Sequence, residues 1–482
     1  MSKDDRRLLI HSRFYALAAV LNRGASFALL PLFGYALTPA DLGVYALVVM
    51  STELVGLAFG ANVLNAIWTV YFIGASPDER DVVASTTILG FGGATCASLV
   101  LAYPFARFAD YALFDSHLHT GLLLLAYVGM VTGIWLDLGL TYFRMTKKSS
   151  TYAGIAAAKN CLFLLLNCLF VLKLGLGVFG IVLANLAATL ALSLPVLTLI
   201  LRTVGTTLSR RHFSRLLTVG AHLIPASAAD ALFEATDRTL LNWLGGSAMV
   251  GQYSLGTRVA SILPQCVTSP FAQIWVVHRL EALKRGSVLD YVPFNFFFAL
   301  ITWTTLALAL YAPEAMYLAA AADYQATAVV IPLLCAAHVL IALNMDCQVD
   351  IFHAARTRVL LAISIICTTV HLALAYALIS RLGLLGAGLA TLLTSIVRTA
   401  LTAWLGRRYC AAVRSLEWNR IGVILVGASL CFAAGRVFVG AAISWQGSLL
   451  KLTLLAGFAL VLFWQHLRGG FDALTDIQRC RR

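Results

Sequence analysis

The sequence predicts an all-α integral membrane protein: about fourteen transmembrane helices, arranged as two six-helix parallel repeats and a C-terminal helix pair. Three observations carry that prediction. Of the 482 residues, 60% are hydrophobic and only 12% are charged. Apolar runs near the roughly 20 residues that cross a bilayer as a helix recur along the whole chain. No ten-residue segment alternates with a period of two, so a membrane β-barrel is excluded.

The spans fall near 14–36, 43–73, 82–106, 119–143, 151–173, 177–202, 216–244, 250–277, 289–312, 326–352, 359–379, 383–405, 421–443 and 449–467. The opening "MSKDDRRLLIHSRFYALAAVLNRG" has a charged lead but no small-residue cleavage site, and it reads as a retained first helix. The intervening loops are too short for a separate soluble domain. With the N-terminus inside, inner segments hold 24 Lys and Arg residues, and outer loops hold only Arg107, Lys173, Arg381 and Lys451. That asymmetry predicts two cytoplasmic termini and an even helix count. It also accounts for the formal net charge of +13 without nucleic acid.

An internal repeat sits at a constant offset of 208 residues. "RLLI" at Arg7 matches "RLLT" at Arg215, and "GVYAL" at Gly43 matches "GQYSL" at Gly251. Lys148 matches Arg356, and "KLGLGVFG" at Lys173 matches "RLGLLGAG" at Arg381. The expected organisation is an N-lobe over 1–208, a C-lobe over 209–415, and a helix pair with a tail over 416–482. Each repeat has an even number of spans, so the two copies run parallel and enclose a central cavity. Transport by alternating access is the default function for such a pair.

Several chemistries are missing from the sequence. It contains no GxxxxGK[ST] loop and no HExxH helix, and its ten cysteines form no CxxC pair. The cysteines read as packing residues, and the "FNFFF" run at Phe294 reads as packing or lipid-facing. No cofactor and no enzymatic activity are expected.

What remains are ionisable groups at membrane depth, each costing about 2.5–3.5 kcal/mol at a helix centre on insertion scales. Such groups should face an interior or a wet cavity. Arg23, Lys159 and Arg398 lie deepest from the inner ends of their spans, and Arg258 lies at similar depth from an outer end. The stretch "AADALFEATDRTLLNWLGG" places Asp230, Glu234, Asp237 and Arg238 within one helical arc. Its acids either neutralise arginines of neighbouring spans or hold a coupling cation, a proton or sodium. Arg238, Arg436 and Asp350 are near helix ends, where snorkelling suffices. Asp137 and Asp346 are placed to pair with inner basic residues, and Glu53 completes the set. A cavity with basic points suits an anionic cargo such as pyrophosphate, for which arginine offers paired donors.

On "LTPADLGVYALV" near Gly43 and "LIP…TDRTLLNWLGGSAMVGQYSL" from Leu223, the chain resembles the polysaccharide transporter (Wzx-type) flippases of the multidrug/oligosaccharidyl-lipid/polysaccharide (MOP) exporter superfamily. The resemblance implies export of an undecaprenyl-pyrophosphate-linked oligosaccharide, an O-antigen or exopolysaccharide repeat unit, across a bacterial inner membrane. Arg23, Lys159, Arg258 and Arg398 would then contact the headgroup. Asp230, Glu234 and Asp237 would be counter-ions or the coupling site. Membrane lipids, the lipid-linked substrate and other polysaccharide-assembly proteins are the implied partners. Three other readings stay open at this point: a lipid II flippase, a cation or multidrug exporter of the same superfamily, and a non-transporting subunit of a polysaccharide-synthesis complex.

Overall fold

In a computed structural model, the described residues are 24, 28–57, 71, 76, 79–285, 291–354, 356–409, 417–439 and 444–480. Among them there is no strand, and ten helices are long and apolar enough to cross a membrane. These ten correspond to predicted spans 3–6 and 9–14. Spans 1 and 2 lie partly outside the described residues. Spans 7 and 8 are helical, but the charges of the Asp230–Arg238 stretch place that region among the less apolar helices.

The chain divides into two compact units, Met1–Gly251 and Gln252–Arg482. In the first, α1 (Pro39–Gly56) is followed by α2 (Arg80–Ala97), α3 (Ala102–Phe114) and α4 (Thr120–Met145). Then come α5 (Ser149–Asn167), α6 (Gly177–Val204) and most of α7 (Arg210–Ala260). The start of α1 explains the "TPAD" motif. Thr38 caps the helix by accepting the Asp41 N–H at 3.2 Å, the Asp41 carboxylate accepts the Thr38 N–H at 3.3 Å, and Pro39 sits where no N–H is needed.

α4 and α6 form the most extensive helix pair of this unit. Apolar residues Leu136, Leu140, Val196 and Ile200 are buried between them, and a 2.7 Å hydrogen bond joins the Thr132 and Thr189 hydroxyls. α7 is broken at Gly246, whose φ of 78° and ψ of 173° are non-helical. Before the break, Asn242 and Trp243 donate to the Leu113 and Ala112 carbonyls, satisfying acceptors left open at the end of α3. After it, the chain crosses α1 at backbone distance. A Cβ on Gly43 would run into the Ser247 carbonyl, and one on Gly251 into the Pro39 carbonyl.

The second unit contains α8 (Ser269–Arg285), α9 (Val292–Leu310), α10 (Ala312–Ala319) and α11 (Ile331–His353). It continues with α12 (Thr357–Leu382), α13 (Leu384–Tyr409), α14 (Trp418–Val439) and α15 (Trp445–Cys480). Its most extensive pair is α11 with α13. Those are the helices 208 residues beyond α4 and α6, so the sequence repeat reappears as a repeat of packing partners.

The "FNFFF" run is packing: Phe294, Phe297 and Phe298 are buried, and Phe297 stacks on Phe271 with ring centroids 4.0 Å apart. The terminal pair docks on α9 through the Trp303 indole, which donates to the Leu455 carbonyl at 3.1 Å. A buried Lys451–Glu314 ion pair at 2.5 Å adds a second tie.

Candidate functional site

A cavity of about 610 Å³ opens inside the Met1–Gly251 unit. Each wall is one helical face. On α1 the lining positions Tyr45, Val49, Thr52, Glu53 and Gly56 fall at helical spacing. On α4, Gly129, Gly133 and Asp137 do the same, and the two glycines keep the wall low. α5 contributes Lys159, α6 contributes Asn185 and Thr189, and α7 contributes Ser227, Asp230 and Glu234.

Glu53, Asp137, Asp230 and Glu234 are exposed to this space, and Lys159 is half-buried at its edge. Lys159 and Arg144 are the cations within electrostatic reach of Asp137. Arg238, half-buried on α7, and Glu234 are the charged groups within reach of Glu53. Asp237 is not part of the lining and is buried, at 4% exposure. Five of the predicted site residues therefore share one cavity, and its lining is four carboxylates to one lysine. Such a lining can take up protons on its carboxylates and offers an ammonium at one edge; among the described residues no group of three acidic, His or Cys side chains is gathered closely enough to hold a metal ion.

The remaining predicted residues are placed as follows. Arg23 lies outside the described residues. Arg258 and Arg398 belong to the Gln252–Arg482 unit and are half-buried there. Arg398 donates from Nη2 to the Ser364 hydroxyl at 3.1 Å, tying α13 to α12. Asp346 is fully buried and pairs with an inner basic residue, and Asp350, expected near a helix end where snorkelling suffices, is instead buried beside it. The Arg279 guanidinium from α8 lies 2.7 Å from Asp346 and 2.5 Å from Asp350, and the Trp275 indole donates to Asp346 at 2.9 Å. Arg279 is one of the 24 inner Lys and Arg residues, and its side chain is only 3% exposed. Asn185 and Thr189 were also missed as lining. Their signal was available, since polar side chains inside an apolar span follow the same cost argument as charges.

Residues 36–278, half of the chain, match the family described as "Polysaccharide biosynthesis protein". The chain belongs to that family. A comparison with curated proteins found no match. Among solved structures, the chain is similar to "Lipid II flippase MurJ, inward closed conformation" at 12% identity and a TM-score of 0.73, covering 95% of this chain and 99% of that one. It is also similar to an inward-facing multidrug resistance MATE family transporter of the MOP superfamily, at 18% identity and a TM-score of 0.59, covering 86% and 100%. The outward-facing form of a MATE family transporter gives 16% and 0.58, covering 83% and 94%. At these identities the likeness is one of fold: this polysaccharide biosynthesis family member has the fold of MOP-superfamily transporters and flippases.

Proposed function

We propose that the chain is a flippase that carries an undecaprenyl-pyrophosphate-linked oligosaccharide, an O-antigen or exopolysaccharide repeat unit, from the cytoplasmic to the periplasmic leaflet of a bacterial inner membrane. The observation that carries this reading is the cavity in which Glu53, Asp137, Lys159, Asp230 and Glu234 meet within a membrane-spanning unit. Charged groups at that depth are costly unless they serve a wet pathway, and membership of a polysaccharide biosynthesis family supports a glycan-bearing cargo. Lys159 takes a phosphate as a point charge, and Arg23, Arg258 and Arg398 supply the other headgroup contacts. Asp230 and Glu234, with Glu53, take up the coupling proton or sodium ion, and Asp237, buried outside the cavity lining, serves as a counter-ion. The 1–208 and 209–415 lobes rock about the cavity, and the 416–482 helix pair stays with the second lobe.

The test is translocation of a defined fluorescent lipid-linked glycan in proteoliposomes, with and without proton and sodium gradients. Lys159→Gln should reduce the rate about tenfold or more, the worth of one hydrogen bond to a charged group, with normal membrane insertion. Undiminished flipping by Lys159→Gln and by the Arg258 and Arg398 alanine variants would refute the headgroup assignment. One observation favours a second reading, export of organic cations: the lining carries four carboxylates. Cation efflux from loaded vesicles, in the absence of glycan flipping, would select it.

A further inference from the structure

We propose that the Gln252–Arg482 unit holds one anionic phospholipid of the surrounding bilayer in a groove between α13, α11 and α14, apart from the transport cavity. The groove has a volume of about 400 Å³. Along α13 it is lined by Ile396, Thr399, Ala400, Ala403, Trp404 and Arg407, positions that share one helical face. At 1.5 Å per residue that face is about 16 Å long. This is close to half of the roughly 30 Å hydrocarbon core, the depth of one leaflet. The facing wall is Trp418, Ile421, Gly422 and Leu425 of α14, again one helical face.

The groove is apolar along its length and cationic at one end. There, in the last turn of α13, the Arg407 guanidinium lies over the Trp418 ring at 5.2 Å, and that of Arg408 over Trp404 at 4.3 Å. A guanidinium placed over a ring uses its face and keeps its N–H edge for an oxyanion. Arg407 and Arg408 are exposed.

An apolar slot one leaflet deep and closed by arginines fits an acyl chain joined to a phosphate headgroup. It does not fit a sugar or a nucleotide, which would leave their polar groups against Ile396, Ala400 and Leu425. A zwitterionic headgroup would bring an amine toward the arginines, so the charge at the rim selects a net-negative lipid. The slot is also open: a Cβ on Gly422 would meet no atom within 4 Å.

The experiment is native mass spectrometry of the full-length protein, delipidated and then offered phosphatidylglycerol and phosphatidylethanolamine in equal amounts. One phosphatidylglycerol should be retained preferentially. Arg407→Gln and Arg408→Gln should each lower that preference roughly fivefold. Gly422→Leu should abolish retention of either lipid, with the arginines intact and the thermal midpoint unchanged. The open space at Gly422 and leucine's better helix propensity make this a variant that folds, so it decides the matter if the arginine variants insert poorly. Equal retention of the two lipids by the wild type would overturn the proposal, as would undiminished retention in Gly422→Leu. Displacement by a polyprenyl pyrophosphate but not by excess phosphatidylglycerol would overturn it in favour of a substrate-tail site. None of these outcomes depends on glycan flipping, so this proposal and the flippase reading fail separately.

Discussion

Replacing Arg279 by methionine is expected to lower the stability of the Gln252–Arg482 unit by about 3–5 kcal/mol. The magnitude follows from what the guanidinium neutralises. Asp346 and Asp350 are both essentially buried, at 0% and 1% exposure, and Arg279 is the cation bonded to each. Methionine restores the stem's packing volume but removes the guanidinium from two carboxylates in a low-dielectric interior, where the Trp275 indole is a neutral donor to Asp346. Each kcal/mol moves the midpoint of a unit of this size roughly 2–4 °C, so the expected fall is roughly 6–20 °C. The assay is a thermal ramp on detergent-purified protein, read by tryptophan fluorescence. The triple variant Arg279→Met, Asp346→Asn, Asp350→Asn should recover most of the loss, because neutral amides cost far less to bury than unpaired carboxylates. An Arg279→Met protein that melts with the wild type would refute the reasoning. So would a triple variant that melts no higher than the single one.

Two further outcomes are expected. Gly43→Ala should cost about 1–3 kcal/mol or more, because its Cβ would meet the Ser247 backbone carbonyl instead of a movable side chain; Gly154→Ala, with nothing within 4 Å of the added Cβ, should be neutral or stabilising in the same thermal ramp. The half-exposed Glu79 carboxylate accepts the Ser76 N–H at 3.0 Å, which holds its pKa below the usual carboxylate range. That local bond is therefore fully formed above the ordinary glutamate pKa and is lost as pH falls through the lower folded value. An amide-resonance titration of Ser76 should show a transition on the acid side of that range, and Glu79→Gln should remove it.

Much of the fold was legible because burial in lipid leaves few options. Apolar length marks the spans, and the repeat offset that pairs Gly43 with Gly251 also pairs α4 and α6 with α11 and α13. Spans 7 and 8 were the hard case in physical terms. The charges that make the Asp230–Arg238 stretch informative about a cavity also lower its apolar signal, although the break at Gly246 falls in the gap between the two spans. The site was legible where cost betrays purpose: Glu53, Asp137, Lys159, Asp230 and Glu234 stand out against their spans. It was not legible where partners come from distant sequence. An inner basic partner for Asp346 was legible, but nothing near it singles out Arg279, 67 residues away, or shows that the pair is buried. Asp237 shows the opposite limit. Helical spacing placed it on the same arc as Asp230 and Glu234, but an arc of that width reaches both a cavity and a protein interior.

The crossing of Gly43 with Gly251 has a consequence for how the two halves can change over generations. Pro39 and Gly43 in the first copy answer to Ser247 and Gly251 in the second, and each glycine is hemmed in by the backbone of the other copy's two positions. A duplicated segment normally gains freedom, because one copy can drift while the other keeps its role. Here drift in either copy is vetoed by the other, and no compensating reduction exists, since both residues are already the smallest available. The pair is thus inherited as one trait written twice, 208 residues apart.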